Sequence, residues 1–282
     1  MKNYKEFKIT ISPLNIELVS GLFWQLDIDG INESDNGLVV FTDAQKKINR
    51  TDIENILNTI LSEKLIESFS IEEGIVVDRN WNEEYEKNVR VIEVTDRIVI
   101  KPSFKEYIPK ENQIIVAIDP KMSFGTGEHA TTKLVLQFLE KYVNKGAKVL
   151  DIGSGTGVLG ITAALLGADK AIGIDNDEWC LLNGTENIKL NHIEDKVEIR
   201  LAEIDQVKEN EFDLIVANIN KHILLDIAGD IKAKIKKTGT LILSGLLITD
   251  ETEITTKYVS LGFSKVASNQ MDEWCALIFR YN

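Results

Sequence analysis

The chain reads as an α/β protein: a doubly wound, seven-stranded sheet whose last strand runs antiparallel, with a small α+β domain ahead of it. Three observations predict this. From about residue 118 onward, short apolar strands (AKVLDIG, AIGID, VEIRLA, FDLIVANI, TLILSGL) are separated by helical stretches, the pattern of a parallel sheet buried on both faces. The last two strands, GFSKVASNQ and EWCALIFRY, follow one another with no helix between, so the final one must enter antiparallel. Before residue 78, strand and helix patterns alternate on a smaller scale.

In chain order, KEFKITI alternates polar and apolar residues as a strand, and IELVSGLFWQL carries apolar residues at helical spacing. GLVVF is the next strong strand. Thr51 and Glu54 form a T-x-x-E capping box ahead of IENILNTIL, in which Ile53, Ile56, Leu57 and Ile60 share one helix face. ESFSIEEGI closes the unit as a strand, which makes residues 1–77 a split βαβ, ferredoxin-like domain. Residues 78–117 read as a connecting region, with a helical DRNWNEEYEKNVRV and a strand-like DRIVIKPSF ended by Pro102. Residues 118–282 form the larger domain.

The composition is that of a folded globular protein: 44% hydrophobic and 27% charged residues, with 4 Pro in 282 residues. A formal charge of −13 repels a nucleic-acid backbone and attracts a basic partner, and more than half of the acidic excess falls in the first hundred residues. No apolar run is long enough to span a bilayer, and the N-terminus has no uninterrupted apolar signal segment, so a cytoplasmic address is expected. Cys180 and Cys275 stand far apart, and His129, His192 and His222 are scattered, so no disulfide framework or metal site is expected.

Two glycine-punctuated stretches carry the chemistry, FGTGEHATT at 124–132 and VLDIGSGTG at 149–157. The second ends a buried strand and opens a helix, where α/β sheets bind ligands. Gly155, Gly157 and Gly160 also satisfy G-x-G-x-x-G, a dinucleotide pattern. Asp151 argues against a pyrophosphate, because a carboxylate beside it would be repelled, and neither loop has a phosphate-gripping lysine. D-x-G-x-G-x-G instead suits the cationic methionine end of S-adenosylmethionine: Gly153 and Gly155 allow close backbone approach, and Asp151 offsets positive charge. The other reading of Asp151 is a helix-capping or turn acid. Asp175, ending the next strand in GIDND, is placed to accept ribose hydroxyls, unless it is only a turn residue. Asn218, at the mouth of the fourth strand, is the candidate catalytic residue, accepting from an incoming amine and aiming its lone pair. Its alternative is a cap on the helix over residues 222–234.

FGTGEHATT, VLDIGSGTG, GIDND, the NI of VANI, LSGL and DEWC, in that order, resemble the bacterial methyltransferases of ribosomal large-subunit protein eleven, the PrmA family. The likeness is strong over 119–282 and extends weakly through WNEEYEK and KPSF. It implies a Rossmann-like S-adenosylmethionine-dependent methyltransferase domain fused to a small substrate-recognition domain. The implied reaction is methylation of lysine or N-terminal amines of a basic ribosomal protein. It also implies that FGTGEHATT folds over the cofactor and that Thr132, Gly153, Asp175 and Asn218 contact it. His129 in that loop is either a ligand contact or a loop-ordering hydrogen bond. Where the family follows NI with Leu, this chain has Asn220 and Lys221. The residues themselves leave open another basic protein or a small amine as acceptor, a nicotinamide-dependent oxidoreductase, and a non-catalytic binder. Oligomeric state is not legible.

Overall fold

The computed structural model describes residues 3–14, 16–23, 26–34, 36–77, 89–119 and 125–282. Of the helical stretch expected over 78–91, residues 78–88 lie outside the described residues, as does Phe124, and 89–91 are not helical. The chain divides into two compact units, 1–88 and 89–282.

The first unit holds β1 (Asn3–Ser12), α1 (Ile16–Phe23), β2 (Gly30–Ser34), β3 (Gly37–Asp43), α2 (Arg50–Ser62) and β4 (Ser68–Val77). Its antiparallel sheet has the order β2-β3-β1-β4, the split βαβ arrangement. Phe7, Ile9 and Ile11 alternate inward on β1 and meet Ile53, Leu57 and Ile60 of α2, so the two periodicities bury one shared core. Two details differ from the sequence expectation. The polar edge strand β2, GINES, has no apolar alternation to announce it. The capping box sits two residues earlier than Thr51: Asn49 is the cap, its side chain accepts from the Thr51 N–H, and Asp52 accepts from the Asn49 N–H. Asn49 wins because its extended backbone (φ −136°, ψ 175°) is the cap conformation, while Glu54 is drawn into a 2.7 Å pair with Arg50.

The second unit opens with a small sheet of β5 (Ile92–Glu93), β6 (Ile98–Lys101) and β7 (Ile114–Ala117). The main elements follow: α3 (Ala130–Tyr142), β8 (Lys148–Ile152), α4 (Val158–Leu166), β9 (Lys170–Asp175), α5 (Glu178–Leu190), β10 (Val197–Leu201) and β11 (Phe212–Asn218). They are completed by α6 (Lys221–Asp226), α7 (Ala228–Lys234), β12 (Ile235–Leu247), α8 (Glu251–Ser260), β13 (Phe263–Met271) and β14 (Trp274–Tyr281). The seven-stranded sheet has the order β10-β9-β8-β11-β12-β14-β13, parallel through β12, with β14 antiparallel to both its neighbours. This is the doubly wound sheet with an antiparallel last strand that the pattern predicts.

Alternation along each strand explains why both faces are covered. Val149, Leu214 and Val216 face α3 and α4, whereas Leu150, Ile215 and Ala217 face Leu224, Ile231, Ile254 and Tyr258 on α6 to α8. Each such Leu or Ile taken fully out of water contributes roughly 1.5–3 kcal/mol. The reversal of winding falls between β8 and β11, whose carboxyl ends therefore splay apart and leave a crevice.

Candidate functional site

The turn after β8 is built by glycine. Gly153 has φ +71°, and a Cβ there would stand 2.3 Å from Cγ2 of Ile219, so backbone and neighbour both exclude a side chain. The loop is pinned to the end of β9: the N–H groups of Gly153 and Ser154 donate to the Ile174 carbonyl, and that of Gly155 donates to Oδ2 of Asp175 at 2.9 Å. Oδ1 of Asp175 accepts from the Asp177 N–H at 3.1 Å. Each oxygen retains a lone pair, so the carboxylate can still accept from a ligand.

Asp151 is fully buried and is not part of the cleft wall. Its Oδ2 accepts from the Gly160 N–H in the first turn of α4 at 3.0 Å, supplying a cap that Gly157 cannot. The carboxyl is pushed up to about 7, by burial first, with the nearby Asp175 charge adding to it and the Gly160 bond opposing it. The helix-capping reading of Asp151 thus describes its contacts, and any effect on a ligand is through its field.

The two glycine loops meet. Oγ1 of Thr156 donates to the Gly125 carbonyl at 2.8 Å, and a Cβ on Gly125 (φ +104°) would collide with that oxygen at 2.7 Å. Asn187 of α5 joins the second loop to the segment ahead of the first: Nδ2 donates to the Thr156 carbonyl, and Oδ1 accepts from the Asp119 N–H, each at 2.9 Å. His129 is the N-cap of α3, its Nδ1 accepting from the Thr131 N–H, and burial holds its pKa below the usual histidine value.

One turn into α3, buried Thr132 faces the mouth of β11. Asn218 Nδ2 donates to Thr132 Oγ1 at 3.4 Å, while Asn218 Oδ1 is buried with no partner among the described residues. The cap position of α6 is taken by Asn220, so Asn218 is not the helix cap. Gly245 (φ +79°) packs its backbone against Ile219, since a Cβ would meet the Ile219 oxygen at 2.5 Å, which brings LSGL to the NI turn. Trp274 of DEWC lies edge-on to His129 with ring centroids 5.0 Å apart. Six separated motifs thus converge on one rim.

Beside this rim lies a cleft of about 490 Å³, walled by Ile152 and Gly153, by Ile174 to Asn176, and by residues beyond β10 and β11. That size suits a nucleoside-sized ligand. Its charged lining is acidic throughout, Asp175, Glu203, Asp205, Asp226 and Asp230, with no Lys or Arg among the described lining residues. A pyrophosphate does not fit such a wall. A phosphate-free cationic nucleoside does, and Gly153, where a Cβ would collide with Ile219, lines the same cleft.

The structure therefore brings Thr132, Gly153, Gly155, Asp175 and Asn218 to one strand-end rim, and leaves Asp151 beneath it. Sequence reasoning missed Glu203 and Asp205, although an acid just past a buried strand was the same signal that singled out Asp175. It also missed Asp226 and Asp230, which line the cleft beside Ile223 and Ile227 at helical spacing, in the stretch where the expected helix divides at Ile227 into α6 and α7.

The profile of the family described as ribosomal protein L11 methyltransferase (PrmA) matches residues 4–282. A ribosomal protein L11 methyltransferase from Chlorobaculum tepidum is 34% identical over 280 residues, 98% of this chain and 96% of that protein. One from Ruminiclostridium cellulolyticum is 38% identical over 207 residues, 73% of this chain and 66% of that protein, just under two thirds of its length. The crystal structure of a ribosomal protein L11 methylase from Lactobacillus delbrueckii subsp. bulgaricus is similar with a TM-score of 0.64 at 29% identity, covering 68% of this chain and 99% of that one.

Proposed function

The chain belongs to the ribosomal protein L11 methyltransferase (PrmA) family, with S-adenosylmethionine as its methyl donor, and from that premise we propose that it methylates amines of ribosomal protein L11: lysine side chains, the N-terminal amine, or both. The observation that carries the amine reading is the buried, unpartnered Oδ1 of Asn218 on the glycine-lined rim.

When bound, S-adenosylmethionine supplies an electrophilic methyl group on its sulfonium. The protein's work is positioning and water exclusion, effects worth about 7–11 kcal/mol of barrier. The acceptor must be a neutral amine, although a free lysine has a pKa of about 10.4 and an α-amine about 7.7–8.0. Approach to a dry, cationic site lowers either value. Asn218 Oδ1 accepts one amine N–H and so turns the nitrogen lone pair toward the methyl carbon; Thr132 Oγ1 holds the Asn218 amide in that orientation. His129 Nδ1 is engaged with Thr131 at the start of α3, and the amine is proposed to lose its proton to water before attack. Thr132, Gly153, Gly155 and Asp175 are the proposed cofactor-contacting residues, with Asp175 receiving the ribose hydroxyls and Asp151 acting through its field.

Residues 1–77 are proposed as the substrate-recognition domain and 118–282 as the transferase domain, joined by 78–117. Their acidic charge suits a basic ribosomal protein rather than nucleic acid. Among the described residues no helix is long and apolar enough to cross a membrane, in keeping with a proposed cytoplasmic site of action. The test is an intact-mass measurement of purified ribosomal protein L11 after incubation with enzyme and cofactor. Mass gains in whole methyl increments are expected. An unmodified L11 alongside a methylated second basic protein or small amine would replace the acceptor.

A further inference from the structure

Asp151 lies beneath the strand-end rim, a fully buried carboxyl that is not part of the cleft wall. It stands last but one in β8, opposite Gly173 of β9 and Val216 of β11, neither of which brings a charge. On the α4 side it meets only the Gly160 N–H, through Oδ2. Oδ1 is buried and has no partner among the described residues. A stable buried carboxylate collects two or three donors, and among the described residues this one has a single donor. The charged group that acts on it is Asp175, an anion, and no described cationic side chain is recorded as acting on it.

An under-solvated carboxyl beside another carboxylate keeps its proton. The glycine turn that follows Asp151 within two residues is the proposed seat of the cofactor's cationic end. A cation there reverses the local balance, because it stabilises the ionised form of Asp151 and attenuates the repulsion from Asp175. We infer that Asp151 is a counter-charge made on demand: on the acid side of neutrality it is protonated in the free protein and releases its proton to solvent when S-adenosylmethionine binds. The carboxyl O–H bond breaks, the electron pair stays on the carboxylate, and the proton leaves as hydronium or on buffer; nothing is oxidised or reduced. The inference rests on the cofactor reading above and adds a proton to its binding equilibrium.

The sign follows from linkage. Burial and Asp175 place the free carboxyl at about 7. Ligand affinity therefore weakens as pH falls below 7, by up to about tenfold per pH unit while the bound carboxyl stays ionised. Proton release therefore grows as the pH falls from 8 to 6. The ligand's own amine, with a pKa of about 7.7–8.0, acts on the alkaline side and cannot produce that acid limb.

The experiment is calorimetric titration of the full chain with S-adenosylmethionine at pH 6, 7 and 8, each in two buffers of different ionisation enthalpy. Buffer-dependent heat corresponding to release, largest at pH 6, is expected. Asp151→Asn keeps the shape and the acceptor for Gly160; it should abolish the release and flatten the acid limb. Infrared difference spectra of the wild type, needing no variant, should lose a protonated-carboxyl C=O band on binding at pH 6. Binding of the cofactor with no proton release, or release that persists in Asp151→Asn, overturns the inference alone. A chain that fails to bind the cofactor at any pH overturns the cofactor reading instead.

Discussion

Asn218 and His129 show how far a single side chain can be read. Asn218 was legible because strand-end polarity is local information; its unpartnered oxygen, buried against Thr132 of a distant helix, is not. Replacing it with alanine removes the acceptor that orients the amine and leaves the glycine cradle intact. Steady-state kinetics should show kcat lower by roughly a hundredfold, the scale of misplacement at a reacting centre, with little change in cofactor Kd. An undiminished kcat would remove Asn218 from the reaction. His129 was ambiguous between ligand contact and loop bond, and the structure makes it the helix cap. Its folded pKa lies below the unfolded value of about 6.5, so its contribution to stability is present above that pH and is lost as pH falls through the folded value. Urea unfolding of His129→Asn, whose cap does not titrate, should lose less stability than the wild type between pH 7 and pH 5. Parallel pH curves would show that the cap does not depend on neutral imidazole.

At the scale of elements, the strands and helices whose apolar periodicity was strong appear where the pattern put them. The failures have separate causes. β2 is a polar edge strand, β5 is only two residues long, and the cap of α2 slid from Thr51 to Asn49 because two overlapping boxes compete. The helix expected over 222–234 divides at Ile227, and the face carrying Ile223, Asp226, Ile227 and Asp230 lines the cleft. No local signal announces the role of Asn187 either. From the middle of α5 it joins Thr156 of one glycine loop to Asp119 in the segment leading toward the other. Asn187→Ala leaves a buried carbonyl and a partly buried N–H without these partners, a loss of about 1–3 kcal/mol for each. Thermal or urea denaturation should show the destabilisation, and cofactor Kd should rise with it. A variant as stable and as tight as the wild type would mean that the loops hold each other without α5.

For the molecule as a whole, the architecture was legible because alternation of buried strands and helices admits few topologies, and a helix-free finish fixes the sense of β14. The six motifs, spread over some 150 residues of sequence, meet because the winding reverses between β8 and β11. The net charge of −13 acts at the same scale. Encounter with a basic ribosomal protein should be steered electrostatically, so KM for the protein substrate should climb as salt rises from low to about 0.5 M. Cofactor Kd should change much less, and a salt-independent KM would show that surface charge does not guide docking.

The claim that a phosphate-free cationic nucleoside sits on the Gly153 turn is tested most directly by titrating the wild type and Gly153→Ala with S-adenosylmethionine and with NAD. Alanine there must adopt φ near +71° and drive its Cβ into Ile219. The wild type should bind S-adenosylmethionine and give no heat with NAD, and the folded variant should lose most of its affinity. Binding of NAD by the wild type, or full-strength S-adenosylmethionine binding by Gly153→Ala, would contradict the assignment.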